Sequence, residues 1–191
     1  MSIEHLSGKD PDEYQFTLAK NLLTSIFPEM ESRDDTEKTP ARFVKMLREL
    51  GAKDDFEFTT FGSDSDEMVI VQDIPFVSLC AHHIAPFVGK MHIAYVPNGK
   101  IAGLSKFVRA VNYVAKGLWC QEDLTNELVD YLESHLDPIG VGVIAQAEHM
   151  CMTIRGVKTH GSLTTTSRMT GCFADHSKLA RAEFMSIVGL R

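Results

Sequence analysis

The chain has little cysteine: four thiols, at Cys80, Cys120, Cys151 and Cys172, scattered over 191 residues. That is too few and too dispersed for a disulfide scaffold, which leaves metal binding or plain burial as their uses. Long apolar runs are missing as well. No stretch approaches the roughly 18 continuous apolar residues of a spanning helix, and the opening "MSIEHLSGKDPDEYQ" lacks the apolar run of an export signal. The expectation is a cytoplasmic protein with reduced thiols and no membrane contact. Basic side chains are in deficit, 19 against 26 acidic ones, for a formal net charge of -7. Such a field repels nucleic acid and anionic membranes, so an anionic ligand needs a local basic cluster. Internal repeats and low-complexity tracts are absent. What is present is an ordinary folding composition, 44% hydrophobic and 24% charged, enough for one core-bearing domain with or without a small helical appendage.

Between Pro11 and Phe27 the residues Tyr14, Leu18, Leu22 and Ile26 recur every four positions, with Leu23 beside them, as on one helical face. In "TPARFVKMLRELG" Thr39 suits an N-cap, Pro40 the first helical position and Gly51 the C-terminal cap, with Phe43, Val44, Leu47 and Leu50 sharing a face. The polar "TTFGSDSDE" then reads as a linker between this helical segment, residues 1–60, and a strand-rich domain, residues 61–191. "MVIVQDIPFVSL" and "FVGKMHIAYV" alternate as antiparallel strands do, and "PNGK" supplies a turn at Asn98-Gly99. Two helices follow. One is opened by Ser105 with Phe107, Val108, Val111 and Val114 inward; the other runs from about Glu122 to Leu136 with Leu124, Leu128 and Leu132 in step. "VGVIAQA", "MCMTIRG" and "LTTTSRMTGCF" are again strand-like, and "SKLARAEFMSIV" is a last amphipathic helix. The order predicts an α+β fold with helices on one face of a mainly antiparallel sheet, whose free edges call for oligomerisation.

The chemistry concentrates in "CAHHIAPFVGK". Cys80 and His83 form a Cys-x2-His pair that can supply half of a zinc site, and "EHMCM" offers His149 and Cys151 as the other half. On a regular strand these two point to one face, and Arg155 follows on that face. Thiolate and imidazole are the ligands zinc prefers. Four ligands make a closed structural site. Three leave a position for water, with His82 and His149 free for proton transfer. Spacing leaves both arrangements open. "GLSKFVR" adds Lys106 and Arg109 three apart on one helical face beside Ser105 at the helix start, a ready anion site. Cys120 and Cys172 read as packing residues.

"CAHHIAPFVGKMHIAYVPNGKIAGLSKFVRAVN", "QEDLT", "HMCMTIRGV" and "LTTTSRMTG" together resemble the GTP cyclohydrolase I family, in order and from about Thr39 to the C-terminus. The resemblance implies a tunnelling fold, in which the sheets of five subunits close into a barrel and two rings stack into a homodecamer. It implies hydrolysis of GTP to 7,8-dihydroneopterin triphosphate and formate, with one zinc ion per subunit, as a first step toward pterins, folates or deazaguanines. Matched position by position, Cys80, His83 and Cys151 correspond to zinc ligands, and His82, His149, Ser105 and Gln121 to catalytic positions. Glu122, supported by Gln121, corresponds to the guanine-reading carboxylate; Lys106, Arg109 and Arg155 correspond to triphosphate contacts, joined by Arg42 from a neighbouring subunit. Ala81 and Asp123 stand where the family usually has an acidic residue and an arginine. The rivals are another tunnelling-fold enzyme acting on a pterin or deazaguanine, and a non-catalytic zinc-stabilised assembly.

Overall fold

A computed structural model describes residues 12–175 and 179–189. They divide into two compact units, one ending at Asp54 and one starting at Asp55.

In the first unit α1 (Glu13–Ile26) is capped by Asp12, whose carboxylate accepts the Gln15 N–H at 2.8 Å. It packs on α2 (Thr39–Gly51). The expected apolar stripe of α1 does not face inward: Tyr14, Leu18, Leu22 and Ile26 are exposed, and Phe16, Ala19 and Leu23 turn away from solvent instead. The helix is apolar around more of its girth than one packing contact can use. Pro40 occupies the first turn of α2 as expected, but Thr39 is already helical and does not cap, and Gly51 is the last helical residue.

The second unit is built on a five-stranded sheet ordered β5-β2-β3-β6-β7, comprising β2 (Val69–Cys80), β3 (Pro86–Val96), β5 (Leu118–Trp119), β6 (Gly140–His149) and β7 (Leu163–Met169). Pairing is antiparallel except between β2 and β5. The supposed linker contains β1 (Thr60–Gly62), which pairs with β4 (Lys100–Ala102). The chain does turn at Gly99, φ 76°, but the strand after the turn joins β1, so β3 and β4 do not form a hairpin. A bulge interrupts the β2–β3 register between Val71 and Ile74, with Asp73 at φ 58°.

Alternation sorts β3 and β6 cleanly. Phe87, Met91, Ile93 and Tyr95, with Val141, Val143, Ala145 and Ala147, form the face that α3 (Leu104–Val114) and α4 (Gln121–Leu136) cover. Leu124, Leu128 and Leu132 are fully buried there, as their spacing predicts. Val108 is not: Phe107, Val111 and Val114 make the inward stripe, and Val108, about 100° round from Phe107 at 3.6 residues per turn, is exposed. On the opposite face Ala94 and Ile144 meet Phe173 and Phe184, the latter from α6 (Ala180–Ile187).

Two strand expectations fail at the chain's turns. "MCMTIRG" is not a strand; Met150–Thr153 forms a helical turn, α5. The cause lies in β3, whose ladder with β6 ends at the pair Phe87–His149 beside Pro86, which has no N–H to continue it. Beyond β7, Gly171–Phe173 is a 3-10 turn rather than more strand. Ser177 and Lys178, expected in the last helix, lie outside the described residues.

Candidate active site

The carboxyl end of β2 folds back at once. Cys80 N–H donates to Ala85 O at 2.9 Å, and the amides of His83 and Ile84 donate to Cys80 O at 3.2 and 2.8 Å, with Ile84 in the left-handed region at φ 52°. This loop presents Cys80, His82 and His83 together. Cys80 Sγ lies 3.7 Å from His82 Nδ1 and 3.8 Å from His83 Nδ1. The chain of β5 runs alongside, with Ala81 N–H donating to Trp119 O at 3.0 Å.

Cys151 arrives from α5. The ligand atoms of Cys80, His83 and Cys151 all lie within 4.8 Å of one another, a group that could hold a metal ion. Its donor set, two thiols and an imidazole, fits zinc better than a hard cation that wants oxygen. Burial raises the Cys151 thiol above its ordinary pKa, the neighbouring Cys80 raises it further, and the charge of Arg155 pulls it down. A bound cation reverses that preference and favours thiolate.

His149 is not a member of this group. The expected reason for its closeness to Cys151, a shared strand face, is wrong: His149 ends β6, Cys151 sits in α5, and Arg155 follows in the turn after it. The bend at the strand end, rather than period-2 alternation, carries Cys151 to Cys80. The ring of His149 is stacked on Phe87 at 4.7 Å between centroids and 3° between planes, and its Nε2 lies 2.8 Å from Gln121 Oε1. Burial lowers its pKa, and the carboxylate of Glu122 opposes that shift. Gln121 and Glu122 open α4, the first buried and the second exposed.

Ser105, Lys106 and Arg109 stand on the first turns of α3, where Lys106 Nζ donates to Glu57 O at 2.7 Å. Arg109 and Arg155 are exposed, as is Arg42 on α2 of the first unit. Among the described residues no hydrogen bond or ion pair ties Ser105, Lys106 or Arg109 to the sulfur-imidazole group. Sequence reasoning missed Phe87, Thr125 and Thr166, which support His149 and Gln121 directly or in series. Alternation could have turned Phe87 inward; nothing local says that it pairs with His149.

A family model described as GTP cyclohydrolase I matches residues 17–189. The chain is similar to GTP cyclohydrolase 1 of Halalkalibacterium halodurans, 44% identical over 184 residues, 93% of this chain and 97% of the relative. It is likewise 44% identical to GTP cyclohydrolase 1 of Aquifex aeolicus over 180 residues, 93% and 97% of the two chains, and 45% identical to that of a Hydrogenobaculum species over 159 residues, 82% and 87%.

Proposed function

Because the chain belongs to the GTP cyclohydrolase I family, we propose that it hydrolyses GTP to 7,8-dihydroneopterin triphosphate and formate at the site around Cys80, His83 and Cys151. One observation carries the reading: three zinc-type donors converge from separate elements, and the half-buried histidine His149 stands outside their set. Cys80, His83 and Cys151 hold the ion. When bound, zinc supplies Lewis acidity and a hydroxide-like nucleophile near neutral pH.

The chain's own residues do the rest. His149 delivers a proton to the imidazole-ring nitrogen of guanine as the C8–N bond opens, and His82 with Ser105 moves protons on the ribose as it opens and rearranges. Glu122 accepts from N1–H and the 2-amino group of guanine, a donor pair that adenine lacks. Gln121 supports this end of α4. Lys106, Arg109 and Arg155 hold the triphosphate, with Arg42 reaching in from a neighbouring subunit; these local cations offset the -7 charge of the whole chain. The protein works as a homodecamer of two pentameric tunnelling-fold rings, in the cytoplasm, feeding pterin or folate-type synthesis or a deazaguanine route. The division read from sequence, a helical segment 1–60 and a catalytic domain 61–191, remains the proposed one, with the second compact unit starting slightly earlier, at Asp55. Among the described residues no helix is long and apolar enough to cross a membrane.

Incubation of the zinc-loaded protein with GTP, read by absorbance and mass for both products, tests the reaction. His149→Ala tests the division of labour: zinc stays near one per subunit while the rate falls by about 100-fold to 10,000-fold, the usual cost of losing a general acid or base. Loss of zinc in that variant makes His149 a ligand and ends the proton-transfer reading.

A further inference from the structure

Gln121 is 2% exposed, and every polar atom of its side chain is engaged inside the sheet-helix layer. Its Nε2 lies 3.1 Å from Ala145 O, 3.0 Å from Thr164 O and 3.2 Å from Thr166 Oγ1. Two of these partners are backbone carbonyls, which only accept, so the NH2 end of the amide must face them. The oxygen end therefore faces His149, at 2.8 Å from Nε2. An amide oxygen only accepts as well. His149 Nε2 must carry a hydrogen, and in the neutral ring Nδ1 keeps the lone pair.

The hydroxyl protons follow from the same accounting. Thr125 Oγ1 donates to Gln121 O at 2.8 Å, so the 2.6 Å contact between Thr125 and Thr166 takes the proton of Thr166. That leaves a lone pair on Thr166 for the Gln121 amide. A closed circuit results, from the Gln121 side chain through Thr166 and Thr125 to the Gln121 main chain, and it ties the start of α4 to β6 and β7. Phe87, stacked on the other side, holds the plane of the His149 ring.

We propose that Gln121 is a positioning residue: clamped by Ala145, Thr164 and Thr166, it locks the orientation of His149 and its neutral tautomer, so that Nδ1 is the nitrogen presented to the reacting atoms and the one that takes up the proton His149 then delivers. This rests on the proton-transfer reading of His149. It also assigns guanine recognition to Glu122 without Gln121, because the two amide hydrogens are already shared among three acceptors within the fold.

The test pairs a spectrum with kinetics. Solid-state 15N spectra of histidine-labelled, zinc-loaded wild type, with His149 assigned by its absence in His149→Ala, are expected to show protonated Nε2 and bare Nδ1. Gln121→Met, similar in size but unable to accept, is expected to keep zinc and the KM for GTP, to show mixed His149 tautomers, and to lose roughly ten-fold in kcat, the equivalent of one hydrogen bond. A neutral wild-type ring with its hydrogen on Nδ1 and a bare Nε2 overturns the proposal, and because it needs no variant it does so even if Gln121→Met fails to fold. So does a Gln121→Met enzyme with normal kcat, or one with raised KM and intact kcat, which makes Gln121 a base reader. An active His149→Ala protein would instead remove the proton-transfer reading, while the wild-type spectrum still reports on the clamp.

Discussion

Gly89 is the place where β3 and β6 come too close for any other residue. It pairs with Ala147, and a Cβ built on it falls 1.9 Å from Gln146 O, 2.6 Å from Ala147 Cα and 2.8 Å from Ala147 Cβ. The two nearest atoms are main chain, so no rotamer change relieves the overlap. Gly89→Ala must push the strands apart, two rungs from the Phe87–His149 pair that ends the ladder. Overpacking of this kind costs about 1 to 3 kcal/mol, and in a chain of this size each kcal/mol lowers Tm by about 2 to 4 °C. A drop of about 2 to 12 °C is expected, along with loss of GTP turnover as His149 and α5 shift. Gly51→Ala is the control: nothing lies within 4 Å of its added Cβ, so Tm should hold or rise slightly. Scanning calorimetry and a GTP assay on the two variants decide it. A Gly89→Ala protein with wild-type Tm and turnover would show that the strands are not packed as described.

Acid sensitivity should follow from two imidazoles. Burial holds His92 below its ordinary pKa, with Lys90 adding to the shift and Asp73 opposing it, while its Nδ1 accepts the Asp73 N–H at 3.3 Å across the bulge; burial also lowers His149. Between the lowered folded pKa and about 6.5 the unfolded chain binds more protons, so stability is full above that range and declines as pH falls through it. His92→Asn, whose amide oxygen can still accept from Asp73, should flatten part of the Tm-against-pH slope below about 6.5; an unchanged slope discards His92 as a source. Cys151→Ser should lose both zinc and turnover, since a neutral hydroxyl is a poor substitute for thiolate, and elemental analysis showing full zinc in an active Cys151→Ser protein would dismiss Cys151 as a ligand.

The helices that periodicity read well are those with one packing partner layer. Leu124, Leu128 and Leu132 recur at helical spacing and are all buried. Tyr14, Leu18, Leu22 and Ile26 recur as regularly yet face solvent, because period alone does not say which of two apolar stripes a neighbour will cover. The Cys80, His83 and Cys151 group was legible as residue types, since few other uses place Cys and His at such spacings, but its local geometry was not. Cys151 reaches Cys80 through a helical turn that exists because the β3–β6 ladder stops at Pro86, a fact of register between distant segments. Long-range pairing also hid the β1–β4 match behind a turn that looked like a hairpin. Phe87, Thr125 and Thr166 carry no motif of their own; their roles appear only when the strands are side by side.

The two-residue strand β5 sets a timetable as well as a position. Leu118 and Trp119 lie parallel to Leu79 and Cys80, and the very next residues begin the helix bearing Gln121 and Glu122. Parallel neighbours need a long crossover between them, and here β3, β4 and α3 all fall in that interval. Cys151 comes later still. Contacts so distant in sequence form late, after the loop entropy of everything between has been spent. A chain emerging from the ribosome therefore carries Cys80 for the next 71 residues of synthesis before Cys151 is added, and the three donors meet only once β6 has docked. A cation held by Cys80, His83 and Cys151 would, on this topology, be taken up as a finishing step by an already folded chain rather than serve as a nucleus around which it folds.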